Sequence, residues 1–216
     1  MLTIDSLDVS IGAVRILRGV SLRVADGQRV GLIGRNGAGK TTLMRTIVGA
    51  LRPAAGSMIF DGKPLIGVPS HQRARMGIGY MPEDRRIVPQ LTVEENLMLP
   101  TWAQGRDGGE GLMRIFELIP ELKAIRQRKG LQLSGGQQKL VALGRALMNG
   151  TKLLLLDEPF EGVAPALAKR LVEVVGRLRD AQQLSVVVAE SDLSHSREML
   201  DAVFTIDRGA VAPAAT

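Results

Sequence analysis

The chain has 216 residues, of which 45% are hydrophobic, so it can bury one sizeable core with a smaller subdomain inserted into it. It contains no cysteine, which excludes disulfides and thiolate metal sites, and no apolar run approaches the ~20 residues of a membrane span. The net charge is +6, but only 3% of residues are aromatic, too few for the stacking platforms of a single-strand nucleic-acid binder. The first residues also lack the basic and apolar regions of a secretory signal. We therefore expect a cytoplasmic protein that binds no nucleic acid, with arginines such as Arg73 and Arg75 on solvated faces.

Strands alternate with helices along most of the chain, which indicates an α/β protein with a largely parallel sheet. From Thr92 to Lys129 apolar residues recur at helical spacing around a glycine-rich loop, Gln104–Gly111, and we expect an inserted helical subdomain there. The tail Val211–Thr216 is expected to be frayed. The other predicted elements are, in chain order, strands Leu2–Val9, Val20–Val24 and Arg29–Ile33, helix Lys40–Val48, strand Gly56–Phe60, helix Ser70–Met76, strand Ile78–Met81, helix Gln137–Met148, strand Lys152–Leu156, helix Ala166–Leu178, and strands Leu184–Ala189 and Val203–Ile206.

A glycine-rich loop joins the third predicted strand to the first helix. Residues Gly34–Thr41 fit the pattern G-x-x-x-x-G-K-[ST], in which backbone N–H groups surround the phosphates of a nucleotide. We expect Lys40 to reach the β- and γ-phosphates and the Thr41 hydroxyl to bind Mg²⁺. The predicted nucleotide-binding set is Gly34, Arg35, Asn36, Gly37, Ala38, Gly39, Lys40, Thr41 and Thr42.

Two carboxylates follow the buried strand Lys152–Leu156. Asp157 and Glu158 stand at its C-terminal end, where open α/β sheets bind ligands. We expect Asp157 to hold Mg²⁺, directly or through a water, and Glu158 to polarise or deprotonate the attacking water. Alone, such a pair is as consistent with surface acids at a strand end, but the glycine loop favours the catalytic interpretation.

A second candidate phosphate-binding turn is Leu133–Gln137, with the sequence LSGGQ. Ser134 can cap the helix that begins near Gln137, and two glycines allow close approach of a phosphate. As an isolated pattern it is more often an ordinary helix start. Because the chain already has its own phosphate loop, the turn predicts two chains head to tail. The residues expected to close on the other chain's ATP are Ser134, Gly135, Gly136 and Gln137.

Gly34–Thr41, Leu133–Gln137 and Leu156–Pro159, in this order, resemble the ATP-binding subunit of an ABC transporter over nearly the whole chain. The resemblance implies an α/β P-loop NTPase fold with ABC-type architecture: a mainly parallel RecA-like core, an N-terminal antiparallel β subdomain and an inserted helical subdomain. It implies one domain, 1–216, in which 1–90 and 131–216 form the β subdomain and the ATP-binding core and 91–130 the helical subdomain.

Further runs resemble the branched-chain amino acid and amide importer branch of this family; they are Met81–Arg86, Leu91–Leu97 and Glu161–Pro165. The resemblance implies ATP and Mg²⁺ as cofactors and transmembrane permease subunits as partners. It also implies a second ATP-binding subunit, either a copy or a similar chain, and indirectly a solute-binding protein. The expected location is cytoplasmic, peripheral on the inner face of the cell membrane.

Several positions depart from the family pattern. Ile11 stands where an aromatic residue usually stacks on adenine, and Phe160 replaces a small polar residue. Glu83 replaces the coupling-loop glutamine that senses Mg²⁺ and contacts the membrane subunit, and we assign it both roles. Ser191 stands at the position of the switch histidine, where a serine can hydrogen-bond a γ-phosphate but cannot carry charge. His195 is either a surface residue or a substitute for that histidine.

The favoured hypothesis is a motor subunit that binds and hydrolyses ATP to power import of branched-chain amino acids or a related amide or urea-like solute. Its predicted catalytic residues are Lys40, Glu158 and Ser191. The alternative is a nucleotide-gated subunit with weak intrinsic hydrolysis that depends on a partner ATPase, although an intact Glu158 argues against it. A soluble ABC-type ATPase of DNA repair or translation is disfavoured, because such proteins usually carry two cassettes or a long insertion.

Overall fold

The computed structural model describes residues 1–182 and 184–214, with side chains for all of these except 178–182. In this part of the chain, no helix is long and apolar enough to cross a membrane. The elements are β1 Leu2–Ile11, β2 Val14–Val24, β3 Arg29–Ile33, α1 Lys40–Ile47, β4 Ala55–Phe60, β5 Lys63–Pro64, α2 Ser70–Arg75, β6 Ile78–Met81, α3 Val93–Trp102, α4 Gly109–Leu118, α5 Pro120–Ala124, α6 Gly135–Leu147, β7 Leu153–Asp157, α7 Pro165–Gln182, β8 Ser185–Glu190, β9 Ala202–Asp207 and β10 Ala210–Pro213.

The N-terminal strands form an antiparallel sheet in the order β2-β1-β4-β5. Alternate residues of β1, among them Leu2 and Ile4, are buried, as expected when one face of a strand packs on a core. These side chains share a hydrophobic cluster with Leu43 and Ile47 of α1. The sheet therefore covers the helix that follows the glycine loop.

The second sheet has the order β10-β9-β3-β8-β7-β6, in which only the edge strand β10 runs antiparallel to its neighbour. Every residue of β7 is buried, because both faces of this parallel sheet are covered. Ile33 pairs with Glu190, and Asp157 pairs with Ala189. This register places the ends of β3, β7 and β8 side by side, so the glycine loop, the Asp157–Glu158 pair and Ser191 start from one sheet edge.

Helices α3, α4 and α5 lie between β6 and α6 in sequence and pack on α6. Thr92 and Glu95 form a capping box that fixes the start of α3. Leu97 and Ile115 lie in one hydrophobic cluster with Leu140 of α6. The predicted α/β architecture, with an N-terminal antiparallel sheet, a mainly parallel core and inserted helices, is thus confirmed.

The prediction of a frayed tail is wrong for 211–213, and residues 215–216 lie outside the described part of the chain. β10 pairs with β9 across a two-residue turn, Arg208-Gly209. Both turn residues have positive φ, 45° and 81°, the combination of a type I′ hairpin that matches the twist of paired strands. The prediction for β2 was also too short at its N-terminal end, because pairing with β1 extends β2 back to Val14.

Arg73 does not lie on a solvated face, contrary to the expectation from composition. Its side chain is buried, and its guanidinium donates hydrogen bonds to the carbonyl oxygens of Thr46, Ile47 and Val68, each at 2.8 Å, and of Leu65 at 2.7 Å. Thr46 and Ile47 end α1, where the helix dipole favours a cation. Arg73 therefore fixes the end of the helix that carries Lys40.

Candidate nucleotide-binding site

The glycine loop leaves the sheet edge at Gly34, whose N–H donates to the carbonyl oxygen of Glu190 at 3.1 Å. A side chain cannot be placed at Gly34, because its Cβ would lie 2.3 Å from the carbonyl oxygen of Ile206. The loop then turns into α1, which begins at Lys40. The N-terminal end of this helix therefore points into the space enclosed by the loop, as an anion site requires.

A cavity of about 370 Å³ opens in front of this loop. Glu83 and Glu158 line it together with the loop and the first turn of α1, so eight of the predicted site residues meet at one cavity. Ile16 is the isoleucine that lines this cavity. Ile11, which the sequence analysis placed at the adenine-stacking position, does not line it and lies at the end of β1 with 49% of its surface exposed. The loop residues that line the cavity are Asn36, Gly37, Gly39, Lys40, Thr41 and Thr42.

Lys40 is buried beneath the loop. Its ammonium nitrogen lies 3.0 Å from Oε1 of Glu158 and donates hydrogen bonds to the carbonyl oxygens of Gly34 and Arg35. The ion pair joins the phosphate loop to the end of β7 across the sheet edge. A cation held at this point is positioned to exchange its carboxylate partner for a phosphate oxygen.

Thr41 and Asp157 are in direct contact beside the cavity. The Thr41 hydroxyl donates to Oδ1 of Asp157 at 3.1 Å, and Tyr80 donates to Oδ2 at 3.0 Å. Burial raises the pKa of Asp157, and the hydrogen bonds from Tyr80 and Thr41 partly offset that effect. The hydroxyl and carboxylate oxygens are hard donors that suit Mg²⁺, which commonly takes few protein ligands and completes its shell with phosphates and water.

The Glu158 carboxylate is held by three residues, Lys40, Glu190 and Ser191. The Ser191 hydroxyl donates to Oε1 at 2.9 Å, and the Ser191 N–H donates to Oε2 at 3.3 Å. Burial raises the pKa of Glu158, but hydrogen bonds from Glu190, Lys40 and Ser191 outweigh it and leave the pKa below its ordinary value. Glu158 is therefore an oriented carboxylate.

Glu190 is a functional candidate that the sequence analysis missed. Burial and the hydrogen bond to Glu158 raise the pKa of Glu190, so its carboxyl group is protonated near neutral pH and acts as the donor. Its other role is to accept a hydrogen bond from the Phe160 N–H at 3.0 Å. The sequence analysis also missed Tyr80, which donates to Asp157. The contacts of Glu190 and of Tyr80 are made between neighbouring strands of the sheet, so no local sequence pattern signals them.

Ser191 and His195 line the same second cavity, of about 450 Å³, together with Asn36 and Glu158. His195 lies in a turn after β8 and packs against the Phe160 ring, with 6.0 Å between ring centroids. The imidazole is exposed. Its position beside the site keeps both predictions for His195, surface residue and substitute for the switch histidine, open to experiment.

Residues Leu133–Gln137, called the Ser134 turn below, form a capping box at the start of α6. The Ser134 hydroxyl accepts from the Gln137 N–H at 3.3 Å, and the Gln137 side chain accepts from the Ser134 N–H at 3.0 Å. The helix begins at Gly135, two residues before the predicted start. Ser134 and Gly135 are exposed, and none of the residues 134–137 is among those described around the phosphate-loop cavity.

Comparisons with known proteins agree with this geometry. The family model described as ABC transporter matches residues 17–161. The chain is 37% identical to the high-affinity branched-chain amino acid transport ATP-binding protein BraG of Pseudomonas aeruginosa, covering 98% of this chain and 91% of BraG. It is 34% identical to the lipopolysaccharide export system ATP-binding protein LptB of Escherichia coli, covering 96% and 87%.

A solved structure shows the same fold. The ADP conformation of MJ1267, an ATP-binding cassette of an ABC transporter, superposes with a TM-score of 0.83 at 28% identity, covering 98% of this chain and 89% of that one. The phosphate loop, the paired carboxylates and the Ser134 turn occur here on a single fold. The chain therefore belongs to the ABC transporter family, in which it is an ATP-binding subunit that hydrolyses ATP.

Proposed function

We propose that this subunit powers the import of branched-chain amino acids or of a related amide or urea-like solute. The observation that carries the proposal is the similarity to BraG over nearly the full length of both chains. The runs Met81–Arg86, Leu91–Leu97 and Glu161–Pro165 support it, since they resemble the same branch. A second candidate is lipopolysaccharide export, which the similarity to LptB favours.

In the proposed mechanism, Lys40 and Glu158 change partners when ATP binds. Lys40 turns from the carboxylate to the β- and γ-phosphates, and the freed Glu158 accepts a proton from the attacking water. The Ser191 hydroxyl and the protonated Glu190 hold that carboxylate in place. Ser191 contributes no charge, so the cationic stabilisation from the chain itself falls to Lys40.

Thr41 and Asp157 would hold Mg²⁺ beside the phosphates, and Glu83 lines the same cavity as Thr41. The ion, when bound, stabilises negative charge on the phosphate oxygens. In the described part of the chain, no cluster of three or more His, Cys, Asp or Glu side chains could hold a metal by itself.

The exposed Ser134 turn supports a head-to-tail pair of ATP-binding subunits. Residues 134–137 are assigned to the γ-phosphate of the partner's ATP, because they do not line the chain's own cavity and they stand at a helix N-terminus whose first residues are exposed. The other proposed partners are transmembrane permease subunits, contacted through Glu83, and indirectly a solute-binding protein. The subunit would then lie on the inner face of the cell membrane.

The nucleotide-gated alternative concerns the rate of hydrolysis. Ser191 at the switch position supports weak turnover, since it lacks a charge for the γ-phosphate. The ion pair and hydrogen bonds that orient Glu158 support full turnover. The motor hypothesis is preferred because an oriented base has no purpose in an inactive site.

The test is ATP-driven transport by the subunit reconstituted in vesicles with its permease subunits and solute-binding protein. We expect leucine or an amide to be taken up and to stimulate ATP hydrolysis. Lys40→Ala is the control, and it should abolish nucleotide binding and uptake together. Release of lipopolysaccharide without solute uptake would support the second candidate, and intact ATP affinity in Lys40→Ala would contradict the phosphate-loop assignment.

A further inference from the structure

Lys139 is a buried cation that the function described so far does not use. It lies on α6, five residues after Ser134, with 2% of its surface exposed. Its ammonium group donates to the carbonyl oxygens of Glu158 and Pro159, each at 3.0 Å, and of Glu161 at 2.6 Å. An ammonium group has three N–H donors, and here each meets one backbone acceptor of a single loop.

The loop after β7 needs such support, because its first residue is strained. Glu158 has φ of 48°, in the left-handed region that non-glycine residues rarely adopt. On the β8 side, the Glu158 N–H donates to the Ala189 carbonyl at 2.9 Å, and the Phe160 N–H donates to Glu190 at 3.0 Å. Lys139 supplies the matching hydrogen bonds from the α6 side.

Burial, and after it the nearby Arg85, leave the pKa of Lys139 below its ordinary value, and the carboxylates of Glu161 and Glu158 offset this only in part. The geometry of the contact does not depend on that shift: the nitrogen lies within hydrogen-bond distance of three carbonyl oxygens of one loop. A side chain with fewer donors cannot fully replace this group.

We propose that Lys139 is a positioning residue that links the Ser134 turn to the carboxylate of Glu158. Lys139 follows Ser134 by five residues on the same helix, a rise of roughly 7.5 Å along the helix axis. Closure of the turn on a partner's ATP is thereby transmitted to the loop that carries the base. The inference rests on the proposed roles of Ser134 and Glu158.

The experiment compares Lys139→Met and Lys139→Gln with Lys152→Met, a control at an exposed lysine that pairs with Asp61 on the surface. Steady-state kcat, ATP affinity and thermal stability are measured for each. We expect Lys139→Met to lower kcat by at least ~10-fold with ATP affinity within about threefold of wild type, because small misplacement of a catalytic group is costly. The kcat of Lys139→Gln, which keeps two donors, should lie between those of Lys139→Met and wild type. Lys152→Met should have the wild-type kcat.

Wild-type kcat in Lys139→Met would overturn the inference, as would wild-type kcat in Lys139→Gln if the methionine variant fails to fold. Parallel losses of ATP affinity, kcat and thermal stability would also overturn it, since they indicate a general structural role. Glu158→Gln separates this failure from a failure of the proposed function. If Glu158→Gln stops turnover while the Lys139 variants keep it, only the inference fails; if Glu158→Gln keeps turnover, the role of the base fails with it.

Discussion

Ser191 holds the carboxylate of Glu158 through both its backbone N–H and its hydroxyl. The hydroxyl also lies 3.0 Å from Oδ1 of Asn36 in the glycine loop. This serine thus joins the loop to the base, as a switch residue should, but it brings no positive charge. In the proposed site, therefore, the switch position offers no positive charge to the γ-phosphate.

We expect Ser191→His to raise kcat for ATP, by up to ~10-fold, because an imidazole can donate to the γ-phosphate and carry charge. Steady-state hydrolysis at saturating ATP measures the change. Ser191→Ala serves as the control and should not gain activity. Unchanged turnover in Ser191→His would indicate that His195 or a partner subunit already supplies the missing group.

Glu190 makes the stability of the folded chain depend on pH. Burial raises the pKa of Glu190 from 4.5 to about 9, so between these values the folded state holds a proton that the unfolded state has lost. The free energy of unfolding therefore falls as pH rises through this window. Glu190→Gln keeps both hydrogen bonds but has no proton to lose. We expect its free energy of unfolding to fall less steeply with pH than that of wild type.

Urea denaturation at a series of pH values within that window measures this slope. Glu161→Gln is the matched control, because Glu161 is an exposed glutamate next to Phe160, whose N–H donates to Glu190, and this variant should keep the wild-type slope. Equal slopes in wild type and Glu190→Gln would show that Glu190 is ionised in the folded state and cannot donate to Glu158.

The sequence analysis predicted Lys40, Thr41 and Asp157 because contiguous motifs define them, and the structure brings these three predicted site residues close together. It could not find Tyr80, Glu190 or Lys139. Each of those contacts the site from another element, through strand pairing or helix packing that no local pattern records. Arg73 was misplaced for the same reason, since its carbonyl partners lie on other segments.

Among the elements, α6 enters two of the proposals, since its N-cap Ser134 is exposed and its Lys139 is buried against the loop after β7. Ser134→Ala should cost about 1 kcal/mol of unfolding free energy, the usual loss when an N-cap serine becomes alanine. Ser134→Asp should keep the cap, because aspartate caps helices as well as serine does. Its negative charge would repel a phosphate at the turn.

We therefore expect Ser134→Asp to have wild-type stability but to lose ATP-driven pairing of chains and at least ~10-fold in kcat. Chemical denaturation and sedimentation with ATP separate the two effects. A Ser134→Asp variant that pairs and turns over like wild type would restrict Ser134 to a capping role.

Elements that follow strong local signals were predicted well. Helix α1 and strand β7 are flanked by glycines or carboxylates and end within a residue of their predicted limits. β10 and the first half of β2 were missed, because they become strands only by pairing with β9 and β1. For β10, the Arg208-Gly209 turn was a usable hairpin signal in the sequence.

In the whole molecule, the strand order produces the site. β3, β8 and β7 are neighbours although β8 comes last of the three in sequence, and this order sets the glycine loop beside both carboxylates. Alternation of strands and helices indicated the α/β class, and family motifs indicated the subdomains. Strand order itself could not be worked out from residue patterns, because it depends on long-range pairing.

In the proposed assembly, the Ser134 turn is one half of a composite site and the glycine loop is the other half. We expect two chains to join through these halves when ATP is bound, with hydrolysis by Glu158 releasing them. Glu158→Gln keeps the shape of the side chain but removes the base, so the joined state should persist.

The most direct measurement is steady-state ATP hydrolysis by wild type and Glu158→Gln, with the oligomeric state followed in the same samples with Mg²⁺ and ATP. We expect wild type to hydrolyse ATP, and Glu158→Gln to lose at least ~100-fold in kcat while accumulating as an ATP-bound dimer. Equal turnover in both proteins, or ATP binding without turnover in either, would contradict the assignment of Glu158 as the base of a transport ATPase.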